Sequence, residues 1–455
     1  MVQPEVSTQY PDKRARNFNE VSLGFSKRTA LEEARRCPQC AGSECVKACP
    51  IKVNIPGFIR SVRENNTGEA LEIIKESNCF PSVCGRICSA PCEKACVLKK
   101  EDAPVAIRAL ERFAADYGKQ RSPNIRKENN GKRIAVIGGG PSGLFAAYKL
   151  AKKGYRVTVF ESLEKPGGVL RYGVPEFRLP KKVLDSDISD IKAHGVTVMT
   201  NCFFGQTVDL EGLKKEGFNA FILATGAATP KFLDIPGVNL AGVYYGEEFL
   251  MRVNLMKASF FSRQLTAFPL GKRIAVIGSG NTALDCARSA LRLGREVTLV
   301  FKNTEQEMRV RTIERKYAKE EGIKFEPLTR PAEVLSDDKN FVRGLRCVRM
   351  DYAEDASGKW KLEEVPSSQF EVKADTVVIA VGHVPNSNIK MFLPGLELDT
   401  DGSVVVDAET GETSLTGIFA AGNVVTNAQP LVNALAAGDS IAKGIEQYLV
   451  GVKNE

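Results

Sequence analysis

Histidine is almost absent from this chain of 455 residues, which contains only His194 and His383. A protein with so few imidazoles has little scope for zinc sites that combine Cys and His ligands. Long apolar runs are also missing, and no stretch reaches the length that a transmembrane helix needs. The formal net charge is +8, but no block of like charge forms a nucleic-acid-binding tail. The N-terminal residues lack the apolar core of a secretory signal, so we expect a cytoplasmic location.

Cysteine, in contrast, is concentrated in one region. Nine of the twelve cysteines lie within residues 37–96, at short spacings. A reducing cytoplasm keeps thiols open, so this density predicts metal binding rather than a disulfide framework. The first part reads Cys37-x2-Cys40-x4-Cys45-x3-Cys49-Pro, and it resembles the ferredoxin signature in which the fourth Cys binds the other cluster of a pair. Iron–sulfur clusters are favoured, with zinc as the alternative.

A strand–turn–helix unit occurs twice, first as KRIAVIGGGPSGLFAAYKL and 140 residues later as KRIAVIGSGNTALDCARSAL. In the first copy the glycines Gly138-x-Gly140-x-x-Gly143 follow the predicted strand 134–137 directly. These glycines permit a tight turn, a close approach of the backbone to a pyrophosphate, and close packing of helix on strand. The phosphate then lies at the helix N-terminus, where unpaired N–H groups favour anions. The next strand ends in Glu161, whose carboxylate can accept both ribose hydroxyls.

The second copy has the related turn Gly278-x-Gly280-x-x-Ala283. No acid occupies its ribose position; Lys302 ends the next strand and Arg309 follows nearby. Two cations can neutralise a 2′-phosphate, which a carboxylate would repel. This copy therefore favours NADP(H), with NAD(H) possible.

Two nucleotide folds of different specificity predict one site for a bound FAD and one for a diffusible nicotinamide dinucleotide. Hydride passes directly from the nicotinamide to the flavin, so no catalytic side chain is expected. We predict an α/β protein with a helical domain for two [4Fe–4S] clusters at 1–129. An FAD-binding domain is formed by 130–236 and 371–455, and an NAD(P)H-binding domain at 237–370 is inserted into it. Residues 118–133 read as a linker, residues 67–78 as a helix and residues 323–380 as β-rich.

Further segments resemble a known family over nearly the full length of the chain. They are the cysteine region, GGVLRYGVPEFRLP (167–180), ILATGA (222–227), AVGHVPN (380–386) and GIFAAGN (417–423). The chain resembles the small (β) subunit of NADPH-dependent glutamate synthase. A similar module occurs in the N-terminal half of dihydropyrimidine dehydrogenase and in the large subunit of the electron-bifurcating NADH-dependent ferredoxin:NADP oxidoreductase.

The resemblance implies a ligand set that counting cysteines leaves open. It assigns one cluster to Cys37, Cys40, Cys45 and Cys96, and the other to Cys49, Cys88, Cys92 and Glu111, with Cys79 and Cys84 as spares. It also implies that Arg178 contacts the flavin and Arg309 the 2′-phosphate, and Asn423 stands where the family usually has Asp. The remaining candidate cofactor-binding residues in the matched motifs are Pro141, Ser142, Gly168, Val169, Leu170, Arg171, Thr225, Gly226, Asn281, Thr282, Asn303, Gly382 and Gly422.

The function expected from these features is an oxidoreductase subunit that accepts hydride from NADPH onto FAD and relays electrons through two clusters to a partner. That partner would be a glutamate synthase large subunit or a ferredoxin-linked flavoprotein. An electron-bifurcating transhydrogenase subunit and the input subunit of a dihydropyrimidine dehydrogenase are alternatives with the same cofactors. A non-catalytic iron–sulfur assembly protein would explain the cysteines but not the two glycine turns.

Overall fold

The N-terminal region is built from short helices, as the sequence predicts. The computed structural model describes residues 3–100, 102–119, 130–256, 268–354, 358–427 and 429–451. Most of the predicted linker, residues 120–129, lies outside these ranges. The N-terminal elements are β1 (Ser7–Thr8), α1 (Pro11–Arg14), β2 (Ser22–Gly24), α2 (Lys27–Arg36), α3 (Glu44–Ala48), α4 (Ile55–Arg63), α5 (Thr67–Ser77), α6 (Pro81–Ile87), α7 (Pro91–Lys94) and α8 (Ile107–Tyr117).

Helix α5 confirms the helix predicted at 67–78, and its first turn shows why it begins there. The side chain of Asn66 accepts a hydrogen bond from the backbone N–H of Glu69 at 3.2 Å and donates one to the Glu69 carboxylate at 3.0 Å. This reciprocal pair satisfies a backbone donor that the first helical turn leaves open. Ala70, Leu71 and Ile74 then form the buried face of the helix.

A five-stranded parallel sheet follows, in the order β18-β6-β3-β4-β5. The central strand β3 is buried along most of its length, as expected for a sheet with helices on its faces. The last strand joins this sheet from the C-terminal part of the chain. The elements are β3 (Arg133–Ile137), α9 (Pro141–Ala151), β4 (Arg156–Phe160), α10 (Val169–Tyr172), α11 (Lys181–Ala193), β5 (Thr197–Met199), α12 (Leu210–Lys215), β6 (Phe218–Leu223) and, after the second sheet, α16 (Ile389–Phe392), β18 (Ile418–Ala420), α17 (Asn423–Thr426) and α18 (Leu431–Gly451).

The second parallel sheet has the order β11-β10-β9-β16-β8, and its crossover resembles that of the first. A separate antiparallel sheet of four strands, β12 to β15, accounts for most of the predicted β-rich region. The elements are β7 (Thr229–Pro230), β8 (Val243–Tyr245), α13 (Gly246–Asn254), β9 (Arg273–Ile277), α14 (Asn281–Arg292), β10 (Glu296–Val300), α15 (Thr312–Glu321), β11 (Lys324–Glu326), β12 (Thr329–Ser336), β13 (Val342–Glu354), β14 (Trp360–Glu364), β15 (Phe370–Lys373), β16 (Thr376–Ile379) and β17 (His383–Val384).

The second sheet extends further along the chain than the sequence predicts. Strand β16 pairs with β8 and β9, and β15 pairs with β13, although both lie mainly after the expected boundary at 370. The predicted boundary at 370 thus lies before two strands that pair with strands of the inserted segment. The change of hydrophobic pattern in the sequence marks the end of the antiparallel sheet. The parallel sheet is completed only by β16, an interior strand that comes later in the chain. The chain crosses back through β17, which pairs antiparallel with β7.

The N-terminal segment before α2 links three parts of the molecule. The guanidinium of Arg14 donates to Glu321 of α15 at 3.1 Å, although the two residues are 307 positions apart. The backbone N–H of Val21 donates to the carbonyl of Phe177 at 2.9 Å. Glu20 lies within 2.8 Å of Arg86 and 3.0 Å of Arg112, which belong to α6 and α8. The segment thus contacts the helical region and both nucleotide-binding domains.

Helices α6 and α8 cross at a glycine. A Cβ added at Gly85 would lie 2.5 Å from the Cα of Arg112, so the two backbones touch where a side chain has no room. In the described ranges, no helix is both long and apolar enough to cross a lipid bilayer.

We expect Gly85→Ala to destabilise the protein by about 1–3 kcal/mol, because the methyl group must push the two helices apart. Gly68→Ala in α5 is the matched control, since the nearest atom to its added Cβ is a side-chain oxygen 3.9 Å away. There the same change should stabilise by about 0.5–1 kcal/mol by reducing the freedom of the unfolded chain. Melting temperatures of the purified variants check both signs, and a shift of equal sign for the two would contradict the crossing.

Candidate functional site

The first glycine turn is shaped by close backbone contacts. Gly138 follows β3 with φ +107°, and a Cβ there would lie 2.4 Å from the carbonyl oxygen of Ala224. A Cβ at Gly143 would lie 2.2 Å from the carbonyl oxygen of Gly138, so α9 packs directly on the turn. Gly140, in contrast, faces open space, with no atom within 4 Å of its added Cβ. The turn therefore offers room for a phosphate at the position where the sequence predicts one.

Glu161 lies beside this turn, immediately after β4. Its carboxylate accepts hydrogen bonds from the backbone N–H groups of Gly139 and Leu163, both at 2.9 Å. These bonds fix the buried side chain next to the glycines. The hydroxyl of Ser162 also donates to Oε1 at 3.3 Å, so Oε2 is the oxygen that keeps a lone pair for a ribose hydroxyl.

The C-terminal segment and the 167–180 motif close around the same turn. A Cβ at Gly422 would lie 2.8 Å from the Cβ of Ser142, and one at Gly168 would lie 2.9 Å from the Cα of Gly140. The buried hydroxyl of Ser142 has no hydrogen-bond partner among the described residues. An orphaned hydroxyl beside an open glycine turn fits a bound dinucleotide that supplies the partner. Asn423 lies next to Gly422 and accepts a hydrogen bond from the backbone N–H of Gln429 at 3.2 Å.

The arginines of the 167–180 motif form hydrogen bonds with other residues of the protein. Arg171 donates to the carbonyl of Pro166 at 2.6 Å and pairs with Asp185. Arg178, expected to contact the flavin, donates to Asp285 of α14 at 2.6 Å. In the structure, Arg178 thus holds the motif against the second nucleotide domain. The sequence gives no signal for this pair, because its members are 107 positions apart.

The other predicted contacts of the motifs lie at strand ends or in short helices. Val169 is half exposed and Leu170 is buried in α10. Thr225 and Gly226 follow β6, the strand next to β3. Gly382 follows β16 with φ +124°, and its carbonyl accepts a hydrogen bond from the backbone N–H of Lys231.

The second glycine turn repeats the construction of the first. A Cβ at Gly278 would lie 2.3 Å from the carbonyl oxygen of Ala380, and Gly280 faces open space. Helix α14 starts directly after it, and the first three residues of the helix are Asn281, Thr282 and Ala283, of which only the last is buried.

The predicted specificity residues follow β10 on the same edge of the second sheet. Lys302 and Arg309 are exposed, and Asn303 is partly buried between them. In the part of the chain that the structure describes, neither cation forms an ion pair. Two solvated cations near an open glycine turn fit the 2′-phosphate of NADP(H).

The cysteines of the N-terminal region lie in two groups in the structure, and the ligand sets that the family resemblance implies stay a prediction. Cys37, Cys40, Cys45 and Cys96 line a single cavity, together with apolar residues such as Ile55 and Ile59. Burial, with smaller contributions from the nearby thiols of Cys37 and Cys96, raises the pKa of Cys45 to about 11. Among the described residues, no three Cys, His, Asp or Glu side chains are arranged to hold a single metal ion. Four thiols around one cavity suit a cluster that takes one thiolate per iron.

The second group contains Cys49, Cys88, Cys92 and Glu111. All three thiols are buried, and burial, together with the Glu111 carboxylate, raises the pKa of Cys88 to about 12. Burial also raises the pKa of Glu111 to about 8, against a lowering by its hydrogen bond with Asn78, whose amide donates at 2.9 Å. Such groups ionise when a cation lies among them, as the iron of a cluster would. No local pattern in the sequence marks Asn78, so its contact with Glu111 could not be predicted.

The two spare cysteines differ in their surroundings. Cys79 is buried near Asp187 and Lys149. Cys84 is also buried. Burial raises its pKa most, and the nearby Glu111 and Cys88 raise it too, so Cys84 borders the second group.

Two known protein families together match most of the chain. Residues 125–438 match the family described as pyridine nucleotide-disulphide oxidoreductase, and residues 14–123 match dihydropyrimidine dehydrogenase domain II, 4Fe-4S cluster. The fold is similar to that of FprA from Mycobacterium tuberculosis in complex with NADPH, with a TM-score of 0.58 and 20% identity over 71% of this chain and 86% of that one.

Two relatives illustrate how far the sequence similarity extends. The chain is 36% identical to the NADP(+)-dependent formate dehydrogenase subunit beta of Moorella thermoacetica over 89% of its length, but it spans only 60% of that protein. It is 32% identical to the glutamate synthase [NADPH] small chain of Azospirillum brasilense, covering 96% of this chain and 94% of that one. The family inferred from the sequence motifs is thereby confirmed. The chain belongs to the pyridine nucleotide-disulphide oxidoreductases, in the family of the glutamate synthase small chain.

Proposed function

We propose that this chain is the electron-input subunit of an NADPH-dependent oxidoreductase. When bound, FAD takes hydride from NADPH and two [4Fe–4S] clusters carry the electrons singly to a partner. The observation that carries the proposal is the presence, in one chain, of two open glycine turns and two groups of four possible cluster ligands. The partner would be a second subunit, since related proteins are named as a small chain or a subunit beta.

At the FAD site, the chain contributes position rather than acid–base chemistry. Gly140 leaves space for a pyrophosphate, Glu161 would accept a hydrogen bond from the adenosine ribose, and Ser142 offers a buried hydroxyl. Gly168 and Gly422 close the turn from two sides without side chains that would fill it.

The two groups of possible cluster ligands differ in the exposure of their thiols. Cys37, Cys40 and Cys45 of the first group are partly exposed, whereas the three thiols of the second group are buried. We therefore propose that the partner approaches the side of the first group, where less protein separates a cluster from the surface.

The proposal is tested by anaerobic titration of the purified chain with NADPH and with NADH. We expect bound FAD whose visible absorbance is bleached by NADPH in preference to NADH, and about eight irons per chain. A protein without flavin, or with zinc in place of iron, would show that the family resemblance does not extend to this function.

Coenzyme preference depends on the two cations after β10. Lys302→Ala and Arg309→Ala should each raise the KM for NADPH roughly tenfold, because a charge-assisted hydrogen bond is worth about 1.5–3 kcal/mol. The KM for NADH should change little. Lys390→Ala is the control, since this exposed lysine belongs to α16, near the first sheet. An equal increase of both KM values would assign the two cations a structural role.

Ligand assignment in the second group depends on Glu111. We expect Glu111→Ala to lose up to about four irons per chain, because one iron of that cluster loses its protein ligand. Cys79→Ser should keep its iron, and so should Cys84→Ser if Glu111 is the fourth ligand. Iron and acid-labile sulfide assays on the three variants give the answer; loss of iron from Cys84→Ser alone would identify Cys84 as the ligand instead.

A further inference from the structure

The order of strands in the second sheet divides the site for the nicotinamide dinucleotide into two halves. The glycine turn follows the central strand β9, which has β10 and β11 on one side and β16 and β8 on the other. All five strands are parallel, so their carboxyl ends share one edge, where dinucleotides bind across the reversal of strand order. Lys302 and Arg309 follow β10 and mark the adenosine half. The nicotinamide half must then extend over the ends of β16 and β8.

Close contacts bring the ends of these two strands to the glycine turn. A Cβ at Gly246, just after β8, would lie 3.0 Å from the Cβ of Ala380 and 3.1 Å from Cγ2 of Thr282. Ala380 follows β16 and in turn touches Gly278. The first side chains beyond these contacts that can exchange protons or form charge-assisted bonds are Glu247 and His383.

Glu247 and His383 form a pair that the proposed chemistry does not yet use. Nε2 of His383 lies 3.3 Å from Oε1 of Glu247, and the two side chains are 12% and 23% exposed, respectively. Among the described residues, Oε2 of Glu247 and Nδ1 of His383 have no hydrogen-bond partner. Each side chain thus has one atom engaged within the pair and one atom open to a ligand.

The position of His383 places the pair between the two nucleotide domains. His383 begins β17, which pairs with β7, and β7 follows Thr225 and Gly226 at the end of the first sheet's strand β6. A nicotinamide ring that extends from the second glycine turn towards a flavin on the first must pass this connection. The pair therefore lies where the reacting half of the coenzyme has to be oriented.

We propose that Glu247 and His383 bind the carboxamide of the nicotinamide and so orient its ring, an inference that rests on the proposed function. The amide NH2 donates to the free oxygen of Glu247, and the amide carbonyl accepts from the ring N–H of His383. These are positioning residues, since neither group gains or loses a proton in hydride transfer.

The protonation of the pair supports this arrangement. Burial raises the pKa of Glu247 to about 8 and lowers the pKa of His383 below its usual value. At neutral pH the carboxyl group then donates to Nε2, which leaves the proton of the imidazole on Nδ1. The carbonyl oxygen of the Glu247 carboxyl group can then accept from the amide NH2. The Nδ1–H of His383 can donate to the amide carbonyl.

Calorimetric binding to the FAD-containing full chain separates this role from a structural one. We expect Glu247→Ala and His383→Ala each to weaken NADP+ binding about tenfold while leaving the affinity for 2′,5′-ADP, which lacks the nicotinamide half, unchanged. Glu248→Ala is the matched control, because this neighbour in α13 is paired with Arg252 and points elsewhere. The double variant should lose less than the product of the two single effects, because the residues act on one group.

A second measurement needs no variant and keeps the proposal testable if either alanine protein fails to fold. The wild-type chain should bind the 3-acetylpyridine analogue of NADP+ several-fold more weakly than NADP+, since the analogue lacks the NH2 donor for Glu247. Equal affinity for the two compounds, or equal weakening of NADP+ and 2′,5′-ADP in the variants, would overturn the carboxamide subsite. Failure of the wild type to bind either NADP+ or 2′,5′-ADP would instead refute the proposed function.

Discussion

The arrangement of the domains depends on one buried carboxylate, Glu321 at the end of α15. Arg288 and Arg292 of α14 donate to it at 2.7–3.0 Å, and Arg14 donates from the N-terminal segment. Burial alone would raise the pKa of Glu321, but the hydrogen bonds and charges of the arginines outweigh it and lower the pKa to about 2. A charge that is buried in this way is tolerated only while all its partners remain in place. Arg14 belongs to the segment that also contacts Phe177 and helices α6 and α8. The same carboxylate therefore fixes the second nucleotide domain relative to the first one and to the helical region.

The guanidinium groups around Glu321 serve the 167–180 motif as well. Those of Arg288 and Arg292 lie 4.9 Å and 3.9 Å from the centre of the Phe177 ring. Arg178 of the motif reaches Asp285 on the same helix. The motif that borders the first glycine turn is thus attached to the helix that begins at the second one, and any shift of α14 is transmitted to both nucleotide sites.

The local features of the chain could be predicted well, and those that depend on distant partners could not. Both glycine turns and Glu161 were found because each residue type is required by its own short segment. The structure extends the repeat further, since Gly138 packs on Ala224 and Gly278 packs on Ala380 in the same way. The ligand groups needed the family resemblance, because nine cysteines allow many sets of four. The flavin contact of Arg178 rests on the family resemblance alone, whereas its bond to Asp285 could not be predicted because the two residues are remote in sequence. The pair of Glu247 and His383 carries no local pattern at all.

The two-stranded connection of β7 and β17 has a consequence for how this architecture can vary. The second nucleotide domain leaves and re-enters the first through adjacent, hydrogen-bonded strands, so the ends of the insertion lie side by side. A domain with neighbouring ends can be exchanged between proteins without stretching the host. Recombination could therefore change the coenzyme while the flavin and cluster sites are kept, provided that the incoming domain brings its own equivalents of Asp285 and Glu321. Both acids are required, because the buried guanidinium groups of the host's Arg178 and Arg14 would otherwise lose these carboxylate partners.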